Sequence, residues 1–159
     1  SPTQYPKTAS DKSRLPSRFV VLGIETSCDD TAAAIVSSDG TILGEAVTKQ
    51  HELHENYGGV MPSVARDAHA AHIYSTIDKA LERANLTFKD LNCIAVTMGP
   101  GLEICLRVGF HAARDLSKRH NLSFIPVHHL EAHCLVTRLQ VSEQAGMSQQ
   151  PSNTDETQE

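Results

Sequence analysis

The sequence predicts an α/β fold, a mixed β-sheet with helices on its faces. Three short apolar runs rich in β-branched residues follow one another near the N-terminus, separated only by brief polar turns, which is typical of an antiparallel meander. Apolar runs of strand length then alternate with longer segments of helical periodicity, which indicates parallel strands joined by crossover helices. We therefore expect one sheet with both kinds of connection, within residues 19–139.

The strands of the meander are predicted at residues 19–24, 32–37 and 42–48. A long helix is expected over residues 62–84, because Pro62 suits a first helical turn and apolar residues recur at helical spacing up to Asn85, which ends it. A strand at 93–97, a Gly-Pro-Gly loop and a helix at 104–119 follow. The last elements are a strand at 124–127 and a helix that starts near His128.

Both ends of the chain differ in composition from this central unit. Residues 1–18 carry four basic side chains, three prolines and a single acid, so they resemble part of an organellar targeting segment, with an ordinary disordered leader as the alternative. Residues 140–159 contain no aromatic or basic residue and are predicted to be a disordered acidic tail. The expected organisation is thus leader, one lobe over residues 19–139, and tail.

Charge and cysteine usage narrow the classes of function. The 159-residue chain has a formal net charge of −5 and no central basic run, so it does not supply by itself the cationic field that nucleic acids require. Its cysteines form no CxxC pair, which predicts buried thiols and a reducing compartment; they are Cys28, Cys93, Cys105 and Cys134. No apolar run has the length of a membrane span.

The turn between the first two strands, residues 25–31, is crowded with hydroxyl and carboxylate side chains. Asp29 and Asp30 offer oxygen ligands or a general base, and the hydroxyls of Thr26 and Ser27 can hydrogen-bond phosphate oxygens. These residues are candidates for catalysis and substrate binding. Ser, Thr and Asp also favour turns for local reasons, so a plain exposed turn is the alternative.

A histidine pair provides the sharpest chemical pattern in the chain. His129 and His133 are four residues apart, so on a helix both imidazoles point the same way and can share a metal ion. Glu131 lies about 200° round the helix from His129, and neither H-E-x-x-H nor H-x-x-E-H is matched, which excludes a zinc-peptidase mechanism. A solvated helix face is the alternative.

Two further features carry weaker signals. Gly99 and Gly101 flank a proline between a strand and a helix, where glycines let the backbone approach a phosphate, although Gly-Pro-Gly is more often a simple turn. Four other histidines are expected to lie on the surface or to face a partner; they are His51, His54, His69 and His72.

Together, four segments resemble the bacterial and mitochondrial branch of the tRNA N6-adenosine threonylcarbamoyltransferases, formerly called O-sialoglycoprotein endopeptidases. In the family's order they are LGIETSCDDT at 22–31, GGVMP at 58–62, GPGL at 99–102 with Val108-Gly109, and PVHHLEAH at 126–133. Their joint occurrence is specific, whereas no single segment is.

The resemblance implies an actin-like, sugar-kinase-like lobe. It implies transfer of threonylcarbamoyl from threonylcarbamoyl-adenylate to N6 of the adenosine beside the anticodon, in tRNAs that read codons beginning with A. By the same resemblance His129 and His133 hold one divalent metal ion, zinc or iron, and Asp29 and Asp30 lie at the reaction centre. Further implications are tRNA and the adenylate as partners of the complete enzyme, a homodimer or a paired paralogue, and a mitochondrial location.

The chain also departs from the family pattern. Glu103 and Arg107 stand where the family usually has small or apolar residues, and the pattern is lost after about Leu139. The family continues there with an adenylate loop and a second lobe that supplies an Asp ligand, so the chain is predicted to be a truncated N-terminal lobe. A non-catalytic dimerisation or interaction fragment is the alternative function. A sugar or acetate kinase would share the fold but would not explain the histidine pair.

Overall fold

The computed structural model describes residues 18–51, 53 and 58–141. The strands are β1 (Val20–Glu25), β2 (Thr31–Ser37), β3 (Thr41–Thr48), β4 (Cys93–Gly99), β5 (Ser123–His128) and β6 (Gln140–Val141). The α-helices are α1 (Pro62–Ala84), α2 (Glu103–His120) and α3 (His129–Leu135), and 3-10 turns span Phe88–Asp90 and Val136–Arg138. The predicted leader, except its last residue, and the predicted tail beyond residue 141 lie outside the described residues.

The sheet has the order β5-β4-β1-β2-β3-β6. The meander pairs are antiparallel, whereas β1–β4, β4–β5 and β3–β6 are parallel. The predicted mixed sheet is therefore confirmed, and the predicted elements match the observed ones to within two residues. The predicted start of the tail is wrong, because Gln140 and Val141 pair with Thr41 and Ile42 of β3.

One face of the sheet forms the hydrophobic core. Side chains alternate along each strand, so every second residue points to the same face. Leu22, Ile35 and Ile94 are fully buried on this face, and they belong to the same cluster as Ile73 and Ile77 of α1 and three residues of α2; those three are Ala112, Ala113 and Leu116. Burying each large aliphatic side chain contributes about 1.5–3 kcal/mol, so this layer contains the main stabilising contacts of the lobe.

Helix α1 lies very close to the sheet because a glycine faces it. A Cβ added at Gly44 of β3 would lie 2.5 Å from both the Ala80 carbonyl oxygen and the Ala84 backbone nitrogen. The helix begins with Pro62 and ends at Asn85, whose φ of 52° lies in the left-handed region that commonly terminates helices. The predicted bounds of α1 are confirmed.

The opposite face of the sheet carries small side chains and remains partly open. Gly23, Ala34 and Ala95 occupy one row across neighbouring strands, and they line a groove of about 440 Å³ together with residues of α3 and the turn after it. Strand β5 is an edge strand paired only with β4 among the described residues, and most of its side chains are exposed.

The cysteines divide into two groups. Cys93 and Cys105 are buried as predicted, whereas Cys28 and Cys134 are exposed. The prediction of buried thiols is therefore wrong for these two, because one lies in a turn and the other on the outer side of the short helix α3. Within the described ranges, no helix is both long enough and apolar enough to cross a membrane.

Candidate functional site at the carboxyl ends of β1, β4 and β5

Glu25 is the charged residue around which the site is built. It ends β1, and the strand alternation places its side chain on the groove face with Thr97 of β4 beside it. The Thr97 hydroxyl donates to Glu25 Oε2 at 2.6 Å, and the Ser27 amide donates to Oε1. Burial alone would raise the pKa of Glu25, but hydrogen bonds from Thr97, Ser27 and His129 outweigh it. The pKa is therefore lowered, and the group is a carboxylate at neutral pH.

The two predicted metal-binding histidines lie side by side on α3 above this carboxylate. His129 Nδ1 lies 3.3 Å from Glu25 Oε2 and 3.3 Å from the Ser27 hydroxyl oxygen. Because a carboxylate only accepts hydrogen bonds, Nδ1 is the protonated nitrogen, and a neutral ring then carries its lone pair on Nε2. That Nε2 lies 2.9 Å from His133 Nε2. The two Nε2 atoms therefore face each other at hydrogen-bond distance. Because two nitrogen lone pairs repel, a proton or a cation is needed between them.

This donor set fits part of a zinc-type or iron-type site. Imidazole nitrogens suit both metals, and a carboxylate on the far nitrogen of a ligating histidine is the usual orienting partner. The described residues contain no group of three or more His, Cys, Asp or Glu side chains placed to hold a metal ion. His129 and His133 thus form only a pair of candidate donors, and Glu25 is the residue that orients the first of them.

The glycine loop packs directly on the turn that follows β1. A Cβ at Gly101 would lie 2.6 Å from the Ser27 carbonyl oxygen, and the Leu102 amide donates to that same oxygen at 2.7 Å. Gly99 has a φ of +140°, which favours glycine, and it pairs with His128 just before α3. The structure therefore brings Ser27, the glycine loop and the histidine pair together.

Thr26 was expected to hydrogen-bond a substrate, and the structure contradicts this. The residue is fully buried. Its hydroxyl donates to the Cys105 carbonyl at 2.9 Å and accepts from the Gly109 amide at 3.2 Å. Because both partners belong to α2, Thr26 joins the turn to that helix and does not reach the groove.

Asp29 and Asp30 lie in the same turn, half-buried and exposed respectively, and their charges act on His69 of α1. The prediction that His69 lies on the surface is wrong, because this residue of α1 is fully buried behind them. It contacts the Thr31 hydroxyl and the Cys28 carbonyl. His51 and His72 are exposed as expected, and His54 lies outside the described residues.

We expect the buried His69 to make the stability of the chain pH-dependent. Burial lowers its pKa below the ordinary value of 6.5, although the hydrogen bond to Cys28 and the charges of Asp29, Glu25 and Asp30 oppose this shift. Between pH 6.5 and the lowered pKa only the unfolded chain takes up this proton. The stability contribution is therefore present above 6.5 and is lost as the pH falls through that window.

Urea unfolding at a series of pH values should show this loss in the wild type and a shallower pH slope in His69→Gln. His72→Gln, one turn along the same helix and exposed, should keep the wild-type slope. Equal slopes in wild type and His69→Gln would show that burial of His69 is not what couples stability to pH.

Sequence reasoning missed three residues of this neighbourhood. Glu25 and Thr97 follow the small residues Gly23 and Ala95 by two positions, so strand alternation places all four side-chain positions on the groove face. A polar residue on this face is the signal that could have identified them. His69 stands among alanines on the apolar face of α1, which could have identified it as a buried histidine. Their partners come from other segments of the chain, so the contacts themselves carried no local signal.

Comparison with known proteins assigns the family. The model of the tRNA N6-adenosine threonylcarbamoyltransferase family matches residues 41–152, more than half of the chain. The chain belongs to this family. The threonylcarbamoyltransferase match also passes Leu139, so the expectation that the pattern is lost there is wrong for part of the remaining segment.

Individual threonylcarbamoyltransferases agree with this assignment. A probable mitochondrial tRNA N6-adenosine threonylcarbamoyltransferase of Arabidopsis thaliana is 51% identical over 130 residues, covering 82% of this chain and 27% of the relative. A tRNA N6-adenosine threonylcarbamoyltransferase of Listeria welshimeri is 45% identical over 121 residues, covering 76% of this chain and 35% of the relative. The chain therefore spans about a third of the length of these relatives.

A solved structure supports the fold. YeaZ from Pseudomonas aeruginosa superposes with a TM-score of 0.51 at 15% sequence identity, covering 69% of this chain and 43% of that protein. At this identity the likeness concerns architecture alone. The predicted α/β lobe with a mixed sheet is confirmed at the level of architecture.

Proposed function

We propose that the protein to which this chain belongs transfers threonylcarbamoyl from threonylcarbamoyl-adenylate to N6 of the adenosine beside the anticodon, in tRNAs that read codons beginning with A. The observation that supports this most directly is the convergence of His129, His133 and Glu25 at the carboxyl ends of parallel strands, in a chain of this family. Ligands of α/β sheets bind at such edges. We further propose a mitochondrial location, since the Arabidopsis relative is named mitochondrial.

Distinct roles follow for the residues of the turn and the loop. We propose Asp29 and Asp30 as the catalytic carboxylates, because both are ionisable groups in the turn that begins at the site. Ser27 and the backbone at Gly99 and Gly101 are proposed to contact the substrate, since these three lie together beside His129. Thr26 is assigned to the packing of α2.

His129 and His133 would hold one divalent metal ion, with zinc and iron both compatible with imidazole ligands. When bound, such an ion supplies Lewis-acid polarisation of a carbonyl group. The protein's own contribution is orientation: Glu25 accepts from His129 Nδ1 and thereby leaves Nε2 free to coordinate. Thr97 and the Ser27 amide fix the Glu25 carboxylate in turn.

Zinc binding by the 159-residue chain is expected to be weak, because two imidazoles leave the coordination incomplete. Calorimetric titration should show that the combined change His129→Ala with His133→Ala removes this binding. Glu25→Gln should weaken it by about ten-fold, since it removes the orienting carboxylate. His72→Ala, an exposed histidine of α1, is the matched control. Equal affinity in the wild type and the double variant would contradict the assignment.

The transfer reaction is best tested in a chimera. This chain replaces the aligned part of the Arabidopsis relative, and the product is incubated with threonylcarbamoyl-adenylate and tRNA before nucleoside mass spectrometry. We expect threonylcarbamoyladenosine to form with the chimera. A chimera that folds and binds tRNA but yields none of the modified nucleoside would reject the proposed function.

A partner of the same fold is also proposed, either a second copy of the chain or a paralogue, as the family resemblance implies. Tyr74 of α1, Met61 before it and Ile104 of α2 are large apolar side chains left exposed on the helical layer. Sedimentation of the isolated chain distinguishes the two cases, because only self-association would produce a concentration-dependent dimer.

A further inference from the structure

His69 belongs to α1, and its imidazole is fully buried. Its hydrogen bonds are made to residues outside that helix. On α1 it occupies the core-facing side, between Ala65 and Ile73. A buried polar ring at such a position costs free energy unless its nitrogens are hydrogen-bonded. Both nitrogens are hydrogen-bonded here, and their closest partners are Cys28 in the turn after β1 and Thr31, the first residue of β2.

The contacts determine which nitrogen carries the proton. His69 Nε2 lies 3.0 Å from the Cys28 carbonyl oxygen. A carbonyl only accepts, so Nε2 is the donor. In the neutral ring Nδ1 then accepts, and the Thr31 hydroxyl lies 2.7 Å from it, with the Gln50 amide nitrogen at 3.4 Å. The ring is therefore held in one tautomer by groups from three places in the chain.

These contacts bracket the two proposed catalytic carboxylates. Cys28 directly precedes Asp29, and Thr31 directly follows Asp30. Thr31 is fully buried, and it begins β2, so the second anchor is rigid. The intervening backbone is thus fixed at both ends by a single side chain from α1.

We propose that His69 is a positioning residue: its neutral imidazole holds the Cys28 carbonyl and the Thr31 hydroxyl, and it thereby sets the geometry of the turn that presents Asp29 and Asp30. The effect on catalysis rests on the function proposed above, whereas the hold on the turn does not. No contact of His69 with substrate is required, because it acts through the turn.

Nuclear magnetic resonance of the 159-residue chain tests the hold directly. Nitrogen shifts of the wild type should show the tautomer protonated at Nε2. Amide exchange at Asp29 and Asp30 should accelerate by about ten-fold in His69→Leu, which leaves the buried carbonyl without a donor. His69→Gln provides an N–H donor of similar reach and should retain most of the protection, and His72→Leu should leave exchange unchanged.

The chimera tests the consequence for the reaction. His69→Leu should lower kcat by about ten-fold with little change in the KM for tRNA, and His69→Gln should restore most of it. An Nδ1-protonated tautomer, or unchanged exchange and kcat in a folded His69→Leu, would overturn the proposal. If His69→Leu does not fold, two other results test the proposal. They are the tautomer of the wild type, and whether His69→Gln retains the exchange protection and the kcat. A wild-type chimera that folds and binds tRNA but is inactive would reject the proposed function. The tautomer and the amide exchange of the 159-residue chain would still test whether His69 holds the turn.

Discussion

Asp29→Asn and Asp30→Asn are each expected to abolish threonylcarbamoyl transfer in the chimera while leaving the fold intact. Both changes keep the size of the side chain and remove only the negative charge and the capacity to accept a proton. Loss of a group that takes part in proton transfer costs about 10²–10⁴-fold in rate. The fold should survive, because Asp30 is exposed and Asp29 is only half-buried, so neither carboxylate belongs to the packed core.

The measurement is the yield of the modified nucleoside over time, with circular dichroism as the check on folding. Asp78→Asn is a matched control, since Asp78 is an exposed carboxylate on α1 and lies outside the turn. Wild-type yields in both turn variants would show that Asp29 and Asp30 only form the turn. Loss in one variant alone would identify that residue as the catalytic carboxylate.

Gly44→Ala is expected to reduce the free energy of unfolding by about 1–3 kcal/mol or more, the usual range for overpacking a tight contact. The new methyl group would lie 2.5 Å from two backbone atoms of α1. Backbone cannot rotate away as a flexible side chain can, so α1 has to move off the sheet. The midpoint of urea unfolding should fall accordingly.

Gly23→Ala is the matched control for this substitution. Gly23 lies in the same sheet, but its added Cβ would meet only the Ala34 carbonyl oxygen at 3.8 Å, an ordinary contact distance. Its stability should stay at or slightly above that of the wild type, because alanine also reduces the freedom of the unfolded chain. Equal losses in the two variants would mean that strand position, and not contact with α1, sets the cost.

Local patterns in the sequence account for the order and type of the elements. Strand alternation and helical periodicity identified the three meander strands, and Pro62 and Asn85 marked the ends of α1 to the residue. These signals depend on neighbours within a few positions, so they can be read along the chain. The spacing of His129 and His133 is of the same kind, because four residues make about one turn of a helix.

The sequence alone thus determined the α/β class, the family resemblance and the histidine pair. Only the tertiary structure decided that Thr26 is a packing residue, that His69 is buried behind the turn, and that Glu25 orients His129. In each case the decisive partner is distant along the chain: α2 for Thr26, the turn after β1 for His69, and α3 for Glu25. Such contacts depend on how strands and helices are stacked. The physical reason is that a side chain's hydrogen-bond partner is set by the three-dimensional neighbours that replace water around it, and local periodicity does not contain that information.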